Sequence, residues 1–297
     1  MGVLKVASHS MVVKNEWFLN MDDMKELTLW RYLSHEKWLL LLEDNGLFFS
    51  KASKFEDKNE GYYDVEGKYS ILQELHPESI DVIDKARCIA QSIRDKAPEH
   101  TYISCWQNMS DESLRMWKEY VSDEREGVLV RSDIISLLLN IPKSLSEVIT
   151  GKNCKYFAND SENLNFNNPF EYKRDLYSFE SEYRLVLDSM QMSIMTGFNP
   201  DEFGEVLTEN ENGELLPFHE TLPLKNASDD VQIKPEAGYV IKYPLDRIIH
   251  EVRVHPLASD IYLSRIRDDL KKAGVNCPVN RSAITHAEFF NNSFSKM

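Results

Sequence analysis

Glycine is scarce in this chain and widely spaced: eleven residues in 297. None falls in a Gly-x-Gly-x-x-Gly or Gly-Lys-Ser/Thr pattern, so a dinucleotide-binding Rossmann unit and a P-loop are both excluded. Cysteine is equally sparse. Cys88, Cys105, Cys154 and Cys277 form no Cys-x-x-Cys pair, which suggests neither a zinc site nor a disulfide framework and fits a reduced, cytoplasmic setting. The eight histidines are scattered and no His-Glu-x-x-His occurs. Positive charge is in the minority, with 34 basic against 49 acidic residues and a formal charge of −15. Such a chain repels phosphate backbones except where basic residues are locally concentrated. Long apolar runs are missing as well: Trp38 to Leu42 is far short of a membrane span, and the first residues lack the continuous apolar stretch of a signal peptide. A Met-Gly start does not signal myristoylation, because position 6 is Val.

What is present is a globular composition, 42% hydrophobic, with no repeat and no low-complexity tract. We expect a single domain over 1–297, its core at about 27–190 and 238–290. Residues 1–26 read as a leading strand or extended arm. Leu27–Leu33 has strand composition, Ser34 is an N-cap, and a helix through Trp38, Leu39, Leu41 and Leu42 stops at Asn45-Gly46. A second strand, Leu47–Ser50, then leads into the loop KASKFEDKNEGYY (51–63). Residues 66–97 carry apolar stripes at helical spacing, divided by Pro77 and closed at Ala97-Pro98, which read as packing surfaces. Further strands are expected at Thr101–Asn108, Gly127–Arg131, Cys154–Phe157, Tyr239–Tyr243, Ile248–His255 and Asn276–Ser282. Helices follow Ser110, Arg131 and Ser259. Residues 198–236, rich in proline and acids, read as a long loop or insertion that holds no catalytic residue.

The chemistry centres on Tyr172–Leu187, YKRDLYSFESEYRLVL. If this is a strand, residues two apart share a face, so Glu180, Glu182 and Arg184 project together. A charged strand face laced by one arginine is the bland alternative. Asp57 and Glu60 could join Glu180 and Glu182 around a divalent metal for phosphodiester cleavage, but the following same-face residue is Arg184 where a carboxylate-and-lysine nuclease would place lysine. No metal ligand set is therefore assigned. Cys105 reads as a small buried hydrophobe rather than a nucleophile.

The phrases LWRYLS, GLFFSKASKFEDKNEGY, WKEYVSDEREGVLV, FESEYRLVL and RIIHEVRVHPLASD, between Leu29 and Ser282, resemble a widespread bacterial family known mainly as a domain of uncharacterised function. That family is similar, more remotely, to the ADP-ribosyltransferases of the Arg, Ser, Glu-x-Glu type. The resemblance implies an α+β fold with a split, mostly antiparallel β-sheet and surrounding helices. It also implies NAD as substrate and a protein or nucleic-acid acceptor, in a toxin or phage-defence setting with an antitoxin partner. Carried over by motif, Arg31, beside Tyr32, would hold the NAD phosphates, and Ser50 or Ser53 would support the nicotinamide ribose. Phe55, Tyr62 or Tyr63 would stack on nicotinamide, Glu182 would be the catalytic acid, and Glu180 would orient the acceptor. The Ser-Thr-Ser pattern of that superfamily is Ser50-Lys51-Ala52-Ser53 here. A non-catalytic interaction module on the same fold, its Glu180, Glu182 and Arg184 forming a structural ion network, is the alternative of another class.

Overall fold

The computed structural model describes residues 28–57, 60–61, 64–121, 125–157 and 169–291. The chain runs β1 (Thr28–Ser34), α1 (His35–Asp44), β2 (Gly46–Lys51), α2 (Val65–Leu75), α3 (Ile80–His100), β3 (Thr101–Asn108), α4 (Leu114–Tyr120), β4 (Gly127–Asp133), α5 (Ile134–Leu139), β5 (Ile149–Asn153) and β6 (Lys155–Phe157). It continues through β7 (Tyr172–Arg174), β8 (Glu182–Asp188), α6 (Ser189–Thr196), β9 (Leu207–Glu209), β10 (Leu215–Pro217), β11 (Val231–Lys234) and β12 (Gly238–Lys242). The last elements are α7 (Leu245–Ile248), β13 (Glu251–Val254), α8 (Asp260–Lys272), β14 (Val279–Arg281) and α9 (His286–Asn291). No helix among the described residues is long and apolar enough to cross a membrane.

Ten strands form one mixed but mostly antiparallel sheet. Its organising strand is β3, whose run TYISCWQN is buried on both faces. Along one edge β3 pairs in full with β8, from Thr101 opposite Asp188 to Gln107 opposite Glu182. Its other edge is shared. β2 takes the first part, with Ser50 opposite Ile103 and Lys51 opposite Tyr102, and β1 takes the end, with Leu29 opposite Asn108 and Trp30 opposite Gln107. Between those contacts β1 and β2 diverge, so the sheet forks beside Ser104–Trp106. One limb continues from β2 to β12 and β11, the other from β1 to β4, β13 and β14.

Alternation along each strand divides the core. Leu29, Leu33, Phe49, Tyr102, Trp106, Leu185 and Leu187 pack with Trp38 of α1, Leu137 of α5 and Ile266 of α8 in the main cluster. On the opposite face Trp30, Tyr32 and Leu129 meet Trp117 of α4 and Phe289 of α9, while Ala52, Ile103 and Phe170 form a smaller group. Burial of side chains this large, each worth roughly 1.5–3 kcal/mol, holds the helices to the sheet. Local chemistry sets the ends. Ser34, Asp133, Asp188 and Ser259 each accept a backbone N–H of the first turn of α1, α5, α6 and α8, caps worth about 1 kcal/mol apiece. Asn45 ends α1 at φ 47°, a conformation asparagine tolerates.

Several expectations change. Tyr172–Leu187 is not one strand: β7 gives way to a 3-10 stretch, Asp175–Glu180, and β8 starts afresh at Glu182. The break is Ser181, at φ 40°. Its carbonyl accepts Asn108 N at 2.7 Å and its hydroxyl donates to Asn108 O at 2.8 Å, which locks the reversal against the end of β3. The helix α3 passes through Pro98 to His100, since a proline in the last turn forfeits one hydrogen bond without ending the coil. Residues 198–236 contain β9, β10 and β11 rather than only loop. The arm at 1–26 lies outside the described residues.

Candidate functional site

The acidic residues of the sequence motif converge around a lysine. Lys173, on β7, places its ammonium 3.4 Å from Glu60 Oε1 and 3.2 Å from Glu182 Oε2, and in closer contact with Glu180 Oε2. Arg184 adds the second cation, at 3.0 Å from Glu60 Oε1 and 2.9 Å from Glu182 Oε2. Its Nη1 donates to Phe170 O at 2.8 Å. All five side chains are buried, none above 8% exposed, so these charges interact through protein rather than water. The cluster holds three carboxylates against two cations.

Each element delivers its residue for a local reason. Glu182 and Arg184 lie two apart on β8 and share a face, as the spacing predicts. Glu180 reaches the same lysine from the 3-10 stretch, so its approach comes from the Ser181 turn and not from strand alternation. Glu60 arrives next to Gly61, whose φ of +75° suits glycine, and whose Cα faces the Phe170 ring. Around the charges stand Tyr120, whose hydroxyl donates to Glu180 Oε1 at 2.9 Å, and Tyr156, whose hydroxyl accepts Glu182 N at 2.7 Å. Tyr177 lies 4.7 Å from the Lys173 ammonium, and the Phe55 ring 5.9 Å from the Arg184 guanidinium. Tyr120 is exposed, while Phe55, Tyr156 and Tyr177 are half-buried; they form an aromatic rim over a buried ionic floor.

The electrostatics follow from that packing. Burial alone would raise the Glu182 carboxyl, but Arg184 and Lys173, with hydrogen bonds from Arg184 and Cys105, outweigh it and hold Glu182 at about 2. Glu60 moves the other way: burial raises it above the ordinary value, against the pull of Arg184 and Lys173. Burial works against charge on Lys173 too, yet Glu182, Glu60 and Glu180 together raise its pKa well above the usual lysine range. Burial, followed by the nearby Glu182 charge, pushes the Cys105 thiol up and keeps it from acting as a thiolate. Three buried polar atoms beside the cluster have no partner among the described residues: Glu60 Oε2, Gln107 Oε1 and Arg184 Nε.

Of the residues singled out in the sequence, the structure brings together Glu60, Glu180, Glu182, Arg184 and Phe55. Ser50 is on the same side of the sheet, because it pairs with Ile103 while Glu182 pairs with Gln107, four residues on. It is half-buried and only weakly bonded, to Lys51 O at 3.5 Å. Arg31 does not join them. Trp30 is the residue opposite Gln107, so Arg31 faces the other side, where it donates to Ser104 Oγ at 2.9 Å and to Phe48 O at 3.1 Å and lies 5.6 Å from the Trp106 ring. The guanidinium bridges β1, β2 and β3 at the fork. With no carboxylate partner among the described residues, burial lowers it to about 10. Tyr32 belongs to the apolar core, edge-on to Trp117 and accepting Ser113 N at 2.7 Å. Ser53 bonds Glu99 on the adjoining helix. Tyr62 lies outside the described residues.

The divalent-metal arrangement also fails on position. Asp57 pairs with Arg174 at 2.9 Å, an ammonium stands among the other three acids, and no group of metal-ligating side chains occurs among the described residues. Sequence reasoning missed Lys173, Tyr120, Tyr156 and Tyr177. They come from four separate elements, and no spacing rule links them. His255, by contrast, is buried against Trp117 and Phe289 as a core residue.

No family model, no curated protein and no solved structure matches the chain.

Proposed function

We infer that the Glu182 face of the forked sheet is the reaction centre of an NAD-dependent ADP-ribosyltransferase acting on a macromolecular acceptor. The observation that carries this reading is the Glu182 carboxylate itself, kept ionised under an aromatic rim and flanked by unpartnered polar atoms. Cleavage of a nicotinamide glycosidic bond develops positive charge on the ribose, and a fixed anion next to that ribose lowers the barrier. A ribose hydroxyl both donates and accepts, which suits two free acceptors, Glu60 Oε2 and Gln107 Oε1, and one free donor, Arg184 Nε. Phe55 or Tyr177 supplies a ring for the nicotinamide. A sheet divided beside its third strand is in keeping with the split sheet of the ADP-ribosyltransferases, and the Glu-x-Glu order is theirs.

In this reading Arg31 has a different part from the one the motif implied. It fastens the fork from the opposite face, and the pyrophosphate is met instead by Arg174, half-exposed at the rim next to Tyr177. Glu180, bonded to the exposed Tyr120, is the acid nearest to an incoming acceptor. An antitoxin partner and a role in phage defence rest on the family resemblance alone.

The second reading is structural. Glu60, Glu180 and Glu182 are each buried and ion-paired, as in a lock that ties β7 and β8 to Glu60 in a non-catalytic interaction module. Calorimetric titration of the purified chain with NAD, paired with nicotinamide release in cell extract, separates the two. Binding with release supports transfer; neither binding nor release leaves the lock.

A further inference from the structure

The helix α3 is 21 residues long and none of them is buried. Its apolar side chains are arranged instead as an exposed stripe: Val82 at 69%, Ile89 at 61% and Ile93 at 59% exposure, with half-buried Ala86 between them. The steps along Val82, Ala86, Ile89 and Ile93 are four, three and four residues, the spacing of a two-helix seam. The opposite side of α3 is already occupied, since Asp84, Arg87 and Gln91 bond to Gln73 and Glu66 of α2. A single exposed leucine or isoleucine needs no explanation, but an unbroken stripe of this kind marks a contact surface. The neighbouring α2 carries two more exposed apolar side chains, Ile71 and Leu75, one turn apart and 58% and 67% exposed.

We propose that this stripe is a homodimer interface, with α3 packed antiparallel against α3 of a second copy. A two-fold contact requires a surface complementary to itself. Centred between Ala86 and Ile89, the antiparallel pairing sets Val82 of each copy against Ile93 of the other, and Ala86 against Ile89. At the centre Ile89 of each copy then seats on the small Ala86 of the other, flanked by the Val82–Ile93 pairs. The same register sets Lys96, exposed at one end of α3, opposite Ser79, between the exposed acids Glu78 and Asp81. Opposite charges thus meet at both ends of the seam, and the two helix dipoles run head to tail. Lys85 falls opposite Ala90, away from its own counterpart. None of the stripe residues belongs to the Glu182 cluster, and the proposal does not depend on the function assigned there.

Sedimentation equilibrium of the full chain, with matching measurements on Ile89→Asp, tests the proposal. A dimer is expected for the parent chain, with dissociation at least roughly 30-fold easier in the variant, the effect of losing a central contact residue. Because Ile89 is exposed, the variant keeps the parent's circular dichroism and, at dilutions where both chains are monomeric, its melting temperature. Lys96→Glu weakens the dimer, and adding Asp81→Lys to the same chain restores it. A parent chain that stays monomeric at high micromolar concentration overturns the proposal. So does a dimer that Ile89→Asp leaves intact, or a Lys96→Glu defect that Asp81→Lys does not repair.

Discussion

Replacing Lys173 with methionine removes the cation that three buried carboxylates share. The substitution keeps the length and apolar character of the side chain, so packing changes little and the electrostatic effect stands out. Glu60, Glu180 and Glu182 are then left with Arg184, which reaches only Glu60 and Glu182. Stripping one partner from a buried ionic group typically costs about 3–5 kcal/mol, against a total stability of about 5–15 kcal/mol. For a chain of this size the melting temperature falls by roughly 10 °C. Urea denaturation followed by tryptophan fluorescence measures the loss directly. Two further features identify its origin. Glu180→Gln in the same chain recovers about 1–3 kcal/mol, because the carboxylate with no other cation within reach has been neutralised. The deficit also narrows as the pH falls, because Glu60, already raised by burial, loses one of the cations that oppose that rise and takes up its proton sooner. A cost below about 1 kcal/mol, with no recovery from Glu180→Gln, would refute the picture of a desolvated ammonium held by three carboxylates.

Other consequences can be checked separately. Glu182 is held at about 2 in the folded chain against an ordinary 4.5, so its contribution, roughly 3 kcal/mol, is present above pH 4.5 and lost as the pH falls toward 2. Glu60, raised by burial, partly offsets this at neutral pH, and its penalty lifts as the pH drops through its folded value. The acid limb of a stability-versus-pH curve therefore flattens in Glu182→Gln; an unchanged limb contradicts the assignment. Arg31→Met leaves Phe48 O and Ser104 Oγ without their donor and costs about 2–3 kcal/mol in chemical denaturation while NAD affinity holds. A selective loss of NAD affinity would return Arg31 to the ligand. Gly61→Ala forces a side chain into left-handed backbone and to 2.4 Å from the Phe170 ring, so it destabilises by at least about 1 kcal/mol; a neutral result in the same assay would show that the 60–61 turn relaxes freely.

Much of the architecture was legible because local rules coincide with the fold. Thr101–Asn108 reads as a strand from its β-branched and aromatic run, Ser34 reads as a cap, and Asn45 reads as a stop; each is found in place. Failures arise where distant partners decide. Nothing in YKRDLYSFESEYRLVL announces the turn at Ser181, which is fixed by two hydrogen bonds to Asn108, 73 positions away. The shared face of Glu182 and Arg184 follows from period-two alternation, but Lys173 enters their cluster only through the folding back of β7. Arg31 was misplaced for a related reason. Its side of the sheet depends on the register of Trp30 against Gln107, and a shift of one residue would have reversed it. The stripes on 66–97 were visible as periodicity, yet periodicity alone does not say whether an apolar face meets the chain's own core or another molecule.

In the proposed transferase the buried Glu182 carboxylate assists departure of nicotinamide. The most direct test of this is nicotinamide release from NAD by the parent chain and by Glu182→Gln, read by chromatography under conditions where both are folded. NAD binding is expected in both, with a loss of roughly 100- to 1,000-fold in release for the variant, the scale on which a fixed electrostatic contact acts. Equal release by the two chains, or none by either across acceptor-containing extracts, would contradict it.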